Sequence, residues 1–120
     1  MLELKTYQEE ALDKLREYLT LTREMGAKKA FVTITERPYH SVKQLPALPY
    51  VCLRIPTGGG KTLMACHAVG IASREVLRQE RCLVLWLVPT NTIKEQTLSA
   101  LRDLQHPYRQ ALDEIGRAHV

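Results

Sequence analysis

The chain has 120 residues, about one domain in length, with 45% hydrophobic and 25% charged residues, the balance of an ordinary globular chain. Its longest strongly apolar run, Leu83 to Val88, is far too short to span a bilayer, which excludes a transmembrane anchor in this stretch. A net charge of +4 and a pI of about 9.1 favour a polyanionic partner, although Lys and Arg are scattered and no block of five like charges occurs.

The N-terminus turns amphipathic at once, without an apolar signal core, which predicts a cytoplasmic protein. From Thr6 to Met25 the spacing predicts a helix. Tyr7, Ala11, Leu12, Leu15, Leu19 and Thr22 share one face, Glu9, Glu10, Asp13, Lys14 and Arg16 lie largely on the other, and Gly26 is a stop. Phe31-Val32-Thr33-Ile34-Thr35 predicts a short strand inside a loop-rich insertion, about 28–49, punctuated by Pro38, Pro46 and Pro49. Tyr50 to Ile55 is expected as a strand, Pro56 to Gly60 as a turn, and Lys61 to Gln79 as a helix. The first turns of that helix are apolar nearly all round, as for a helix packed on a sheet. Cys82 to Val88, ended by Pro89, has the pattern of a central parallel strand buried on both faces. Thr92 and Glu95 suggest a capping box, followed by a helical stripe of Ile93, Thr97, Leu98, Leu101 and Leu104. Strand, helix, strand, helix in this order predicts an α/β fold with a parallel sheet.

Cys52, Cys66 and Cys82 are an odd number, none close to another, and each sits in an apolar run; buried reduced thiols in a reducing compartment are expected. His40, His67, His106 and His119 make no ligand-spaced cluster with them, so no zinc site is expected.

The informative stretch is Pro56-Thr57-Gly58-Gly59-Gly60-Lys61-Thr62. Glycines allow several amides to point into one hollow, and the helix that follows adds its unpaired N–H groups and the positive end of its dipole. ATP phosphates fit such a place. Gly58, Gly59 and Gly60 would offer amides and Thr57 would shape the loop. Lys61 would reach the β- and γ-phosphates, and the Thr62 hydroxyl would hold Mg²⁺. The strict Gly-x-x-x-x-Gly-Lys-Ser/Thr template is missed at Ile55, and a glycine-rich turn with an exposed lysine is the plainer alternative.

These residues resemble the first motif of superfamily-two, DEAD/DEAH-type helicases, usually Ala/Gly-x-Thr-Gly-x-Gly-Lys-Thr. Leu4-Lys5-Thr6-Tyr7-Gln8 is similar to the upstream Leu-Arg-x-Tyr-Gln segment, which implies that Gln8 reads the adenine edge; a solvated helix residue is the alternative. Leu85 to Thr90 resembles motif Ia, which implies that Pro89-Thr90 lies against a nucleic acid strand; Thr90 or Thr92 serving only as a helix cap explains the same residue types. Leu-Val-Pro-Thr followed by Gln96, with the later His106 to Leu112, is most similar to the Res subunit of type III restriction enzymes. The resemblance implies that residues 1–113 are the N-terminal part of a first RecA-like ATP-binding domain. The parent protein would be an ATP-dependent helicase or DNA translocase using ATP and Mg²⁺. Its partners would be nucleic acid, duplex DNA in that family, and a DNA-methylating modification subunit.

Asp113-Glu114 follows a stretch of helical character and is rejected as the acidic second motif such a motor needs. A second motor domain is also missing, so the chain alone is expected to be inactive and poorly soluble. Residues 114–120 resemble a translated sequencing adapter and are expected to be a non-native tail. A stand-alone nucleotide-binding module without hydrolysis is the main alternative; a small-molecule kinase or GTPase is disfavoured by Gln8, by Pro89-Thr90 and by the absence of Asn-Lys-x-Asp.

Overall fold

Apolar residues three and four apart cannot leave water unless their helix finds a partner, and the first helix finds two. The computed structural model describes residues 3–56, 58, 60–115 and 118–120. Helix α1 runs Thr6–Met25, as the spacing predicts, and buries Leu12, Leu15, Tyr18 and Leu19. Gly26 stops it at φ 87, and its N–H donates to the Thr22 carbonyl at 2.9 Å.

Helix α2, Ala27–Thr35, stands where a strand was expected over Phe31–Thr35. The β-branched run suggested a strand, but Ala27, Ala30, Phe31 and Ile34 fall at helical spacing and pack on α1. The Thr33 and Thr35 hydroxyls donate back to the Lys29 and Phe31 carbonyls at 2.7 and 2.8 Å, which settles their polar atoms on the helix. The segment after α2 is irregular, as expected, and is held down by Tyr39. The Tyr39 hydroxyl donates to the Leu48 carbonyl at 3.1 Å and accepts from the Tyr50 N–H at 2.9 Å.

Helix α3, Lys61–Ala72, is apolar on nearly every side because it lies between two clusters. Met64 and Ile71 join the α1–α2 core. Leu63 and Cys66 join Leu101 of α4, Asn91–Arg102, and Ala111 of α5, Pro107–Leu112. The regular helix stops short of the expected Gln79. A π-helical turn over Ser73–Leu77 follows, and Arg78 ends it in the left-handed region at φ 52.

The expected α/β architecture, a RecA-like P-loop parallel sheet, is not the fold observed. Among the described residues no strands pair into a sheet; an isolated antiparallel bridge joins Val42 and Leu45. The two predicted strands run without secondary structure. Val51 and Ile55 pack on the α1–α3 core. In 82–88, Trp86 packs on the α3–α4 cluster and Cys82 and Val88 are half-buried, while Leu83, Leu85 and Leu87 are 101%, 83% and 81% exposed. One face is partly covered, with Val84 still 45% exposed, and the other is open, whereas a central parallel strand needs cover on both faces and neighbours on both edges.

Candidate functional site

Two segments far apart in sequence meet at the start of α3. Gly60 precedes the helix in the left-handed region at φ 78, and Gly58 sits at φ 76. Both conformations favour glycine. A Cβ on Gly60 would stand 2.5 Å from the Gln8 Nε2, so the amide of α1 lies directly against this glycine. Gln8 is buried, at 5% exposure, and its Oε1 accepts from the Lys5 backbone N–H at 2.8 Å. The exposed-residue alternative for Gln8 is therefore not realised. Thr57 and Gly59, also expected here, lie outside the described residues.

Lys61 is exposed and Thr62 half-buried in the first turn of α3. Among the described residues no side chain caps this helix end, and its first i→i+4 bond runs from the Met64 N–H to the Gly60 carbonyl at 3.0 Å. The N–H groups of the preceding turn have no partner within the helix, and the dipole makes that end positive. Gly58 leaves open space where a side chain would be, with nothing within 4 Å. An uncapped helix end, a lysine and a hydroxyl beside left-handed glycines form an arrangement that favours a phosphate chain.

Pro89 and Thr90 are exposed at the start of α4. The Thr90 Oγ1 accepts from the Ile93 N–H at 3.2 Å, so the helix is capped two residues before the expected Thr92. The proposed Thr92–Glu95 capping box is not formed, because Asn91 and Thr92 already belong to the helix. Cys52 is exposed, contrary to expectation, whereas Cys66 is buried and its thiol is pushed up to about 11 by burial.

Sequence reasoning passed over Arg109. It is 5% exposed, its Nε donates to both Asp113 carboxylate oxygens at 3.0 Å, and its Nη1 donates to the Leu101 carbonyl at 2.7 Å. The spacing of Arg109 and Asp113, four apart on a helical stretch, was the available signal. His67 was also passed over as a structural residue. Its Nδ1 lies 3.6 Å from the Glu114 Oε2, and its buried Nε2 has no partner among the described residues. It borders a cavity of about 370 Å³ shared with Glu9, Asp13, Arg16 and Arg74, whose mixed charges favour neither an anion nor a cation. A larger groove of about 760 Å³, mostly apolar, runs beside Val84, Trp86, Val88, Leu98 and Leu101. No described helix is long and apolar enough to cross a membrane.

Comparison with known proteins gives one family. The model described as "Type III restriction enzyme, res subunit" matches residues 1–118. No curated protein and no solved structure matches the chain.

Proposed function

Because this chain belongs to the family of the type III restriction enzyme res subunit, we propose that it supplies the ATP-binding start of a helicase-like motor, an ATP-dependent DNA translocase. The observation that carries this reading is the meeting of Gln8 with Gly60 at the uncapped N-terminus of α3. A glycine turn alone is common; a buried amide delivered to it from another helix, beside Lys61 and Thr62, is a site with a phosphate end and a base-reading end.

In this reading Gly58, Gly59 and Gly60 offer backbone N–H groups to the phosphates, and Thr57 shapes the turn. Lys61 neutralises charge on the β- and γ-phosphates and is the residue whose loss ends turnover. Thr62 lends its hydroxyl to Mg²⁺. Gln8 holds its Oε1 on Lys5 and keeps its amide N–H groups at the loop, where one reads an adenine ring nitrogen. Pro89 and Thr90 face a nucleic acid phosphate, with the cap of α4 presenting the helix end. Duplex DNA and a DNA-methylating subunit are the partners, in the cytoplasm.

Lys61→Ala tests the reading. Mg-ATP titrated onto the chain should bind at least about 100-fold more weakly to the variant, and DNA-stimulated ATP turnover of a longer protein carrying the same change should vanish while its helical content is unchanged. Turnover equal to that of the unsubstituted protein would overturn it.

A further inference from the structure

The chain's positive charge is not spread over the fold. Between Ala27 and Arg54 five residues are Lys or Arg and one is Glu, which accounts for the whole net charge of +4; the rest of the chain holds twelve of each sign. Lys28, Lys29, Arg37, Lys43 and Arg54 are all exposed, and none lies within ion-pair distance of a carboxylate among the described residues. Elsewhere Lys14, Arg16, Lys94 and Arg109 are paired with an acidic neighbour; among the described residues Arg23, Arg74, Arg78, Arg81 and Arg102 are not, but outside 27–54 the twelve cations are matched in number by twelve carboxylates.

This surface is also held in place. The apolar stripe of α2 is spent on the core, which leaves Lys28 and Lys29 outward at its start and Arg37 just beyond its end. Tyr39 packs at a tilt against Phe31, ring centroids 5.2 Å apart, and fastens the loop at Leu48 and Tyr50. Between those ties the Leu45 N–H donates to the Val42 carbonyl at 3.0 Å, forming a tight turn that includes Lys43.

We propose that α2 and the loop after it form a nucleic-acid backbone contact of their own, separate from Pro89-Thr90. This inference rests on the motor reading for its choice of polyanion. The two ends of α2 stand about 12 Å apart at 1.5 Å per residue, a span equal to the axial rise of three or four base pairs of a duplex. The contact is assigned to phosphates, which exposed cations engage without reading sequence. A membrane surface fits less well: the apolar face of α2 is already buried, so the basic face has no adjoining stripe to insert.

The test uses the full 120-residue chain and a fluorescent 20-base-pair duplex of arbitrary sequence. Binding is followed by anisotropy from low to moderate salt. One variant carries Lys28→Ala, Lys29→Ala, Arg37→Ala, Lys43→Ala and Arg54→Ala. A control carries Arg23→Ala, Arg74→Ala, Arg78→Ala, Arg81→Ala and Arg102→Ala, and so has the same net charge. The slope of log affinity against log salt should flatten by about 4 in the first variant and by less than about 1 in the control. Equal flattening in both, no binding by the unsubstituted chain at low salt, or binding to phosphatidylserine vesicles but not to duplex would each overturn the proposal. Mg-ATP binding is measured alongside: its absence with the salt slopes as expected would remove the motor reading and leave the polyanion surface standing.

Discussion

Gly60 is held to glycine by two separate constraints, its left-handed backbone and the Gln8 amide beside it. Gly58 shares the first constraint only, since a Cβ there meets nothing within 4 Å. Gly58→Ala should therefore cost about 1–2 kcal/mol from backbone strain, and Gly60→Ala roughly 1 kcal/mol more. The urea midpoints of the two variants measure the difference, and Gln8→Ala should relieve the excess at Gly60 and leave Gly58→Ala as it was. Strictly additive effects would show that the amide does not press on the loop. A second residue-scale expectation concerns pH. Burial raises the Tyr18 hydroxyl from 10.0 to about 12, with the neighbouring Tyr39 side chain adding to it, and burial raises the Cys66 thiol from 9.0 to about 11. Both groups are kept neutral by folding, so the stability they contribute is present below pH 9 and is lost as pH climbs through 11 and 12. Helical circular dichroism should fall across that window, and Tyr18→Phe should move the fall to higher pH. The same substitution removes a buried hydroxyl that has no partner among the described residues, so it should not lower the melting temperature at pH 7.

At the scale of elements, α4 and α5 are joined by a buried charge as well as by the apolar cluster of Leu101 and Ala111. Arg109 closes the exposed carbonyl end of α4 through Leu101 and holds Asp113 at the end of α5. Arg109→Ala should destabilise the chain by roughly 2 kcal/mol, because it leaves the buried Leu101 carbonyl without its donor and the partly exposed Asp113 carboxylate with the Ala118 N–H alone, and Arg109→Lys should recover less than half, since an ammonium cannot fork between them. A urea midpoint for Arg109→Ala equal to that of the unsubstituted chain would deny the clamp. The same scale shows what the amino-acid pattern could convey. Helix α1 was legible to its last residue because its stripe, its charged face and Gly26 all agree. Helix α2 was misjudged because four β-branched residues in a row carry a strand preference, while the Ala27–Ala30–Phe31–Ile34 spacing that decided the outcome includes two small residues that hydropathy barely registers. The runs 50–55 and 82–88 were expected as strands and carry no secondary structure, since an apolar run does not specify what lies beside it. Within the candidate site, the glycines and Lys61 could be named as candidates from their order; the placement of the Gln8 amide beside Gly60 could not, because it depends on how α1 crosses α3.

The whole molecule is open for its length. Its radius of gyration is 14.9 Å, against about 13.6 Å for a compact chain of this size. Its accessible surface is 8838 Å², against roughly 6600 Å² for a closed monomer of this mass. The most exposed apolar side chains lie on one line, Leu83, Leu85 and Leu87, alternating outward from a segment with no ladder partner among the described residues. An exposed apolar strand-like edge pairs readily with another copy of itself. The chain should therefore elute from a sizing column as oligomers whose mass grows with concentration, and should bind a hydrophobic dye. Leu83→Lys, Leu85→Lys and Leu87→Lys together should return it to a monomer without loss of helical signal, since these side chains contribute almost nothing to the core. Trp86→Lys, on the covered side of the same segment, should instead reduce the helical signal, because Trp86 packs on the cluster of Leu63, Cys66 and Leu101. Light scattering that finds the unsubstituted chain monomeric at about 100 μM would mean that the open face is not the surface through which the molecule associates.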